Sequence, residues 1–114
     1  IMNRIPQAGQ GMHYLFEVTA KPGYTIEQYA EAWVKASELI QQAPGAQGTR
    51  LHRKIGDERT ALAIATWESK AARDASGALM PQEVQHIIQA EAPFVTIHFI
   101  GEFESPDWEV LPPG

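Results

Sequence analysis

The stretch PGAQGTRLHRKIGDERTALAIATWESKAARDAS, residues 44–76, decides how this chain is read. It holds two strands, the turn between them, a tryptophan and a helix start. Pro44 and Gly45 end the preceding element, because proline cannot continue a ladder or helix and glycine permits the turn. Over 49–55, Thr49, Leu51 and Arg53 oppose Arg50, His52 and Lys54, the period-two pattern of a strand. Leu51 is its only large apolar residue before Ile55, so the strand is expected at a sheet edge or where its outer face meets water or a partner. Residues 56–59 read as a short hairpin loop. The next strand, 60–67, sets Leu62, Ile64 and Thr66 on one face against Ala61, Ala63, Ala65 and Trp67 on the other. Ser69 then caps a helix through Ser76.

Upstream, MHYLFEVTA (12–20) alternates Met12, Tyr14, Phe16 and Val18 with His13, Leu15, Glu17 and Thr19, and Pro22-Gly23 stops this strand. Thr25 followed by Gln28 has the form of a capping box. Ile26, Tyr29, Ala30, Trp33, Ala36 and Ile40 then recur at three or four residues, the apolar stripe of a helix over 26–42. Downstream, Gly77 fits a helix end and Pro81 the first turn of another helix reaching about residue 92, with Val84, Ile87 and Ile88 as its buried stripe. Pro93 stops it. A strand over 94–104 sets Val95, Ile97, Phe99 and Phe103 against Phe94, Thr96, His98, Ile100 and Glu102. Residues 1–11 are expected to be a flexible N-terminal segment, 12–104 a single domain, and 105–114 a proline-rich tail whose Trp108 needs a surface to cover.

The order is β-α-β-β-α-β, which predicts an α+β, ferredoxin-like fold with a four-stranded antiparallel sheet. Right-handed crossovers place the helices on one sheet face. The other face then exposes apolar side chains that a monomer leaves uncovered, and face-to-face pairing of two sheets in a homodimer is the expected solution.

Composition narrows the function classes. The chain has 114 residues, a net charge of −5 and no cysteine. That length suits one core, which buries roughly two-thirds of the unfolded surface. The acidic balance disfavours nucleic acid, since Arg50, Arg53 and Lys54 form the only basic cluster. Without cysteine there are no disulfides, thiolate metal sites or cysteine nucleophiles. No apolar run reaches the roughly 18–20 residues that span a bilayer, and the start lacks the apolar core of a signal peptide, so a cytoplasmic protein is expected. Phosphate-binding glycine loops and the G-x-S-x-G elbow are absent.

Three alanines sharing a strand face with Trp67 leave volume that a large neighbour or a ligand must fill. Trp67, Trp33 and Tyr29 are therefore the candidate substrate-binding residues, either interdigitating as core or lining a pocket for a planar apolar compound. Three of the four histidines, His13, His52 and His98, lie on predicted strands. His13 and His98 fall on neighbouring strands, and with Glu17 on the parity of His13 a histidine and carboxylate pair would make a general base near neutral pH. His98 and His13 are the candidate catalytic residues, and His52 is a candidate ligand contact or one that looks into a dimer barrel. No spacing such as H-x-H or H-E-x-x-H predicts a metal site.

The order of elements, PGAQGTRLHR, the hairpin and ALAIATWESKAARDAS together resemble the antibiotic-biosynthesis-monooxygenase-like family of dimeric α+β barrel proteins, over residues 12–104. The resemblance implies a homodimer whose sheets close into a barrel, with a pocket in each subunit between sheet and helices and Trp67 as the pocket tryptophan. The haem-degrading branch carries an asparagine on its first strand and a histidine about ten residues after the tryptophan; here that strand has no asparagine and position 77 is glycine. The quinone-forming branch carries an asparagine before the tryptophan, whereas residues 61–66 have none. The implied activity is that of a cofactor-independent monooxygenase on a small aromatic or polycyclic compound, using no cofactor and no metal. The alternatives are a non-catalytic small-molecule-binding or stress-associated barrel protein, and an isomerase or lyase using the same pocket.

Overall fold

A computed structural model describes residues 2–4, 11–78 and 80–113. Its centre is a four-stranded antiparallel sheet of β2 (Met12–Ala20), β3 (Ala46–Lys54), β4 (Asp57–Trp67) and β5 (Val95–Glu104), in the order β3-β4-β2-β5. Helices α1 (Ile26–Ile40), α2 (Lys70–Ala78) and α3 (Gln82–Glu91) supply the second layer. This is the ferredoxin-like α+β arrangement. Outside it, β1 (Met2–Arg4) pairs antiparallel with β6 (Trp108–Val110), adding a two-stranded ribbon to segments read from sequence as a flexible N-terminus and a tail. Residues 1 and 5–10 of the expected flexible segment lie outside the described residues.

Local chemistry sets the element ends. The Thr25 hydroxyl accepts from the Gln28 amide at 3.2 Å, and the Gln28 side chain accepts from the Thr25 amide at 2.8 Å, so the capping box forms. The hairpin is tighter than the expected four-residue loop. Lys54 pairs with Asp57, leaving Ile55 and Gly56 as the turn, and Gly56 takes φ +89°, where a side chain is strained. Ile55 is consequently fully exposed.

Register decides the faces. Tyr14 pairs with Ala65, Phe16 with Ala63 and Val18 with Ala61, and these side chains meet the helices. Val18, Ile26, Tyr29, Ala61 and Val95 form the buried cluster, with Phe16, Trp33, Leu51 and Phe94 against it. Simple alternation along β5 fails at one point: Phe16 pairs with Phe99 but Leu15 pairs with Gly101, so Ile100 is an inserted bulge residue. The bulge moves Glu102 to the helix side and Phe103 to the open side, reversing the parity expected for both.

Candidate functional site

Between the sheet and the helices lies a cavity of about 310 Å³. Its floor is open on β4 at Ala65, which sits opposite Tyr14 and leaves the aromatic ring beside a methyl group. Tyr14 and Phe99 lie 5.0 Å apart between ring centroids, and Tyr14 and Phe16 meet edge to face at 6.2 Å. Trp67, Trp33 and Tyr29, the three aromatic residues predicted to bind substrate, all line this space. Trp67 is 3% exposed and is held where β4 runs into the Ser69-capped helix, the Ala72 amide donating to the Ser69 hydroxyl at 3.1 Å.

Two charged side chains join this apolar wall. Arg73, on α2, lies over the Tyr14 ring with its guanidinium carbon 4.6 Å from the centroid. Glu91, at the end of α3, lines the cavity near Tyr29. Burial, with the Glu91 charge adding to it, pushes the Tyr29 phenol up to about 12, so Tyr29 is a neutral hydroxyl at physiological pH. Arg73, Glu91 and Tyr14 are absent from the sequence-level site. Tyr14 was readable there, because it shares the parity of Met12 and Val18, but nothing local marks Arg73.

The histidines are elsewhere. His13 faces Thr66, its Nδ1 3.1 Å from the threonine hydroxyl, His52 pairs with Leu62, and His98 pairs with Glu17. All three stand on the sheet face away from the helices, and none of them lines the cavity. His13 and His98 are not cross-strand neighbours, since His13 pairs with Phe103 and His98 with Glu17, four residues further along β2. Glu17 itself lies 3.8 Å from the Lys54 ammonium. His86 is exposed on α3. Among the described residues no group of three His, Asp or Glu side chains converges as a metal site would require, and no helix is long and apolar enough to cross a membrane.

A four-stranded antiparallel sheet covered on one face by helices, with an aromatic pocket between the layers, defines a ferredoxin-like α+β protein. Residues 12–78, more than half of the chain, match the antibiotic biosynthesis monooxygenase family, and the chain belongs to that family. Among solved structures it is similar to SnoaB, a cofactor-independent oxygenase from Streptomyces nogalater, with a TM-score of 0.74 and 15% identity over 91% of this chain and 99% of SnoaB. It is also similar to protein SO0527 from Shewanella oneidensis, with a TM-score of 0.71 and 16% identity over 92% of this chain and 97% of the other. At such identities the likeness is one of fold. No curated protein matches the chain in sequence.

Proposed function

We propose that this chain is a cofactor-independent monooxygenase that binds a small aromatic or polycyclic phenol between Trp67, Trp33 and Tyr29 and works as a homodimer. The observation that carries the reading is the cavity of about 310 Å³ walled by aromatic rings beside Ala65. That volume is at the lower end of small-molecule sites and suits a two-ring compound. In the reaction the ionised phenol supplies all four electrons to dioxygen; one oxygen atom enters the ring carbon that loses hydrogen, and the other leaves as water. The protein's part is to hold the ring flat, orient the reacting carbon and exclude water.

The homodimer reading is supported by the uncovered sheet face, where Leu15, Leu62 and Ile64 are half-buried and Phe103 is exposed. His13, His52 and His98 belong to that same face, so in this reading they serve the subunit contact and not the cavity. A second reading, ligand binding without turnover, is favoured by the absence of an imidazole from the cavity wall.

An oxygen electrode separates the two. Stoichiometric oxygen uptake with 1-naphthol, lost in Trp67→Ala, supports the monooxygenase. A ligand-induced rise in Tm without oxygen uptake supports the binding protein. Absence of both sinks each reading.

A further inference from the structure

We propose that Arg73 makes this cavity selective for the ionised form of its aromatic ligand, a phenolate or enolate whose oxygen seats against the guanidinium above Tyr14. The inference rests on the reading of the cavity as an aromatic-binding site and names what that site selects.

Three observations carry it. First, Arg73 is held at the wall of a largely apolar space, its guanidinium carbon 4.6 Å from the centroid of the Tyr14 ring, and among the described residues it has no carboxylate partner. Glu102, opposite Tyr14 on β5, is taken by Lys70 at 3.0 Å. A guanidinium whose face rests on a ring keeps its edge donors available for an oxygen anion.

Second, the room for it is provided by a glycine. A Cβ at Gly77, one turn further along α2, would lie 3.3 Å from Arg73 Nη1, so the glycine leaves the guanidinium a few tenths of an ångström of extra room beside Tyr14.

Third, the cavity is electrically polar along its length. Arg73 marks the Tyr14 end. Glu91 also lines the cavity, and its charge acts on Tyr29. Tyr29, which lines the cavity from α1, is neutral. An anionic oxygen is drawn to the Arg73 end and repelled from the Glu91 end, which gives the ligand one direction. Selecting the anion from solution also removes the need for a base in the cavity, and the cavity wall has no imidazole.

The test is the ionisation of 2-naphthol bound to the protein, followed by its phenolate absorbance, with 2-methoxynaphthalene as a neutral ligand of the same shape. In the unaltered protein, bound naphthol is expected to titrate about 1–3 pH units below free naphthol, the effect of a cation within hydrogen-bond reach. Arg73→Met should return the midpoint to that of free naphthol or above and weaken naphtholate binding more than methoxynaphthalene binding, and Arg73→Lys should restore part of the effect. Arg73→Gln, which removes the charge and keeps a polar side chain, should return the midpoint in the same way and decides the matter if Arg73→Met no longer binds methoxynaphthalene. Naphthol titrating with the same midpoint on the unaltered, Arg73→Met and Arg73→Gln proteins, with methoxynaphthalene still bound, overturns the role of Arg73 alone. Failure of both ligands to bind the unaltered protein overturns the aromatic-binding reading and this inference with it.

Discussion

Tyr14 and Ala65 stand directly across the β2–β4 ladder, a phenol ring facing a methyl group on the sheet surface beneath the helices. This mismatch in size is what opens the cavity, because the ring has no side chain of equal volume to pack against from the neighbouring strand. Ala63 beside Phe16 and Ala61 beside Val18 repeat the pairing, but there both alanines and Val18 are buried and do not line the cavity.

Replacing Ala65 by Leu should fill the floor without harming the fold. Ala65 is half-buried and lines empty space, so the added carbons meet cavity and not packed core. The expected outcome is a Tm equal to or above that of the unaltered protein and at least a tenfold loss of affinity for 2-methoxynaphthalene in a fluorescence titration. Retained affinity would show that ligands bind elsewhere.

Val18 is fully buried at the centre of the apolar cluster. Val18→Ala removes two buried methyl groups and leaves a void, which together destabilise by about 2 kcal/mol. For a domain of this length the midpoint of thermal unfolding should fall by about 8 °C. Val110→Ala, at an exposed position on β6, should change it by less than about 0.5 kcal/mol.

The Tyr29 phenol is held up to about 12 against an ordinary value of 10.0, mainly by burial. The unfolded chain therefore loses this proton before the folded one does. Stability from Tyr29 is present in full below pH 10 and is lost as pH rises towards 12, by about 2–3 kcal/mol at the upper limit. Urea denaturation at intervals from pH 8 to 12 should show a steeper decline for the unaltered protein than for Tyr29→Phe. Parallel declines would mean that Tyr29 ionises as easily folded as unfolded.

If two sheets meet face to face, Leu62 lies inside the contact, on the open face beside His52. Leu62→Glu places a charge there, and the dissociation constant of the homodimer should rise at least a hundredfold. Light scattering at micromolar concentration is expected to give twice the chain mass for the unaltered protein and once for the variant. A single-chain mass for the unaltered protein would end the homodimer reading.

Much of the fold was legible in short-range patterns. Thr25 and Gln28 announce a helix start because a capping box is closed by atoms three residues apart. The alternation in 12–20 and 60–67 announces strands because side chains on an extended backbone point to opposite sides in turn. The grouping of Trp67 with three alanines, and of Trp33 with Tyr29, followed from the same periodicities, and these aromatic residues do line one cavity. The histidines illustrate the limit. Their shared polarity and strand positions suggested a base near Trp67, yet His13, His52 and His98 all carry the parity opposite to the pocket side.

By itself, then, the sequence determined which residues share a face, since parity is set by neighbours along the chain. Only the tertiary structure decided which of the two faces the helices cover, because that depends on how β2, β4 and β5 align across the sheet and on where the crossovers run. It also decided two departures that no local rule contains. The bulge at Ile100 exchanges the sides of Glu102 and Phe103, and α2 brings Arg73 back over Tyr14, 59 positions away in the chain, through the space that Gly77 leaves open. Both arise from contacts between segments far apart in sequence, where the energy of a residue is set by what arrives beside it.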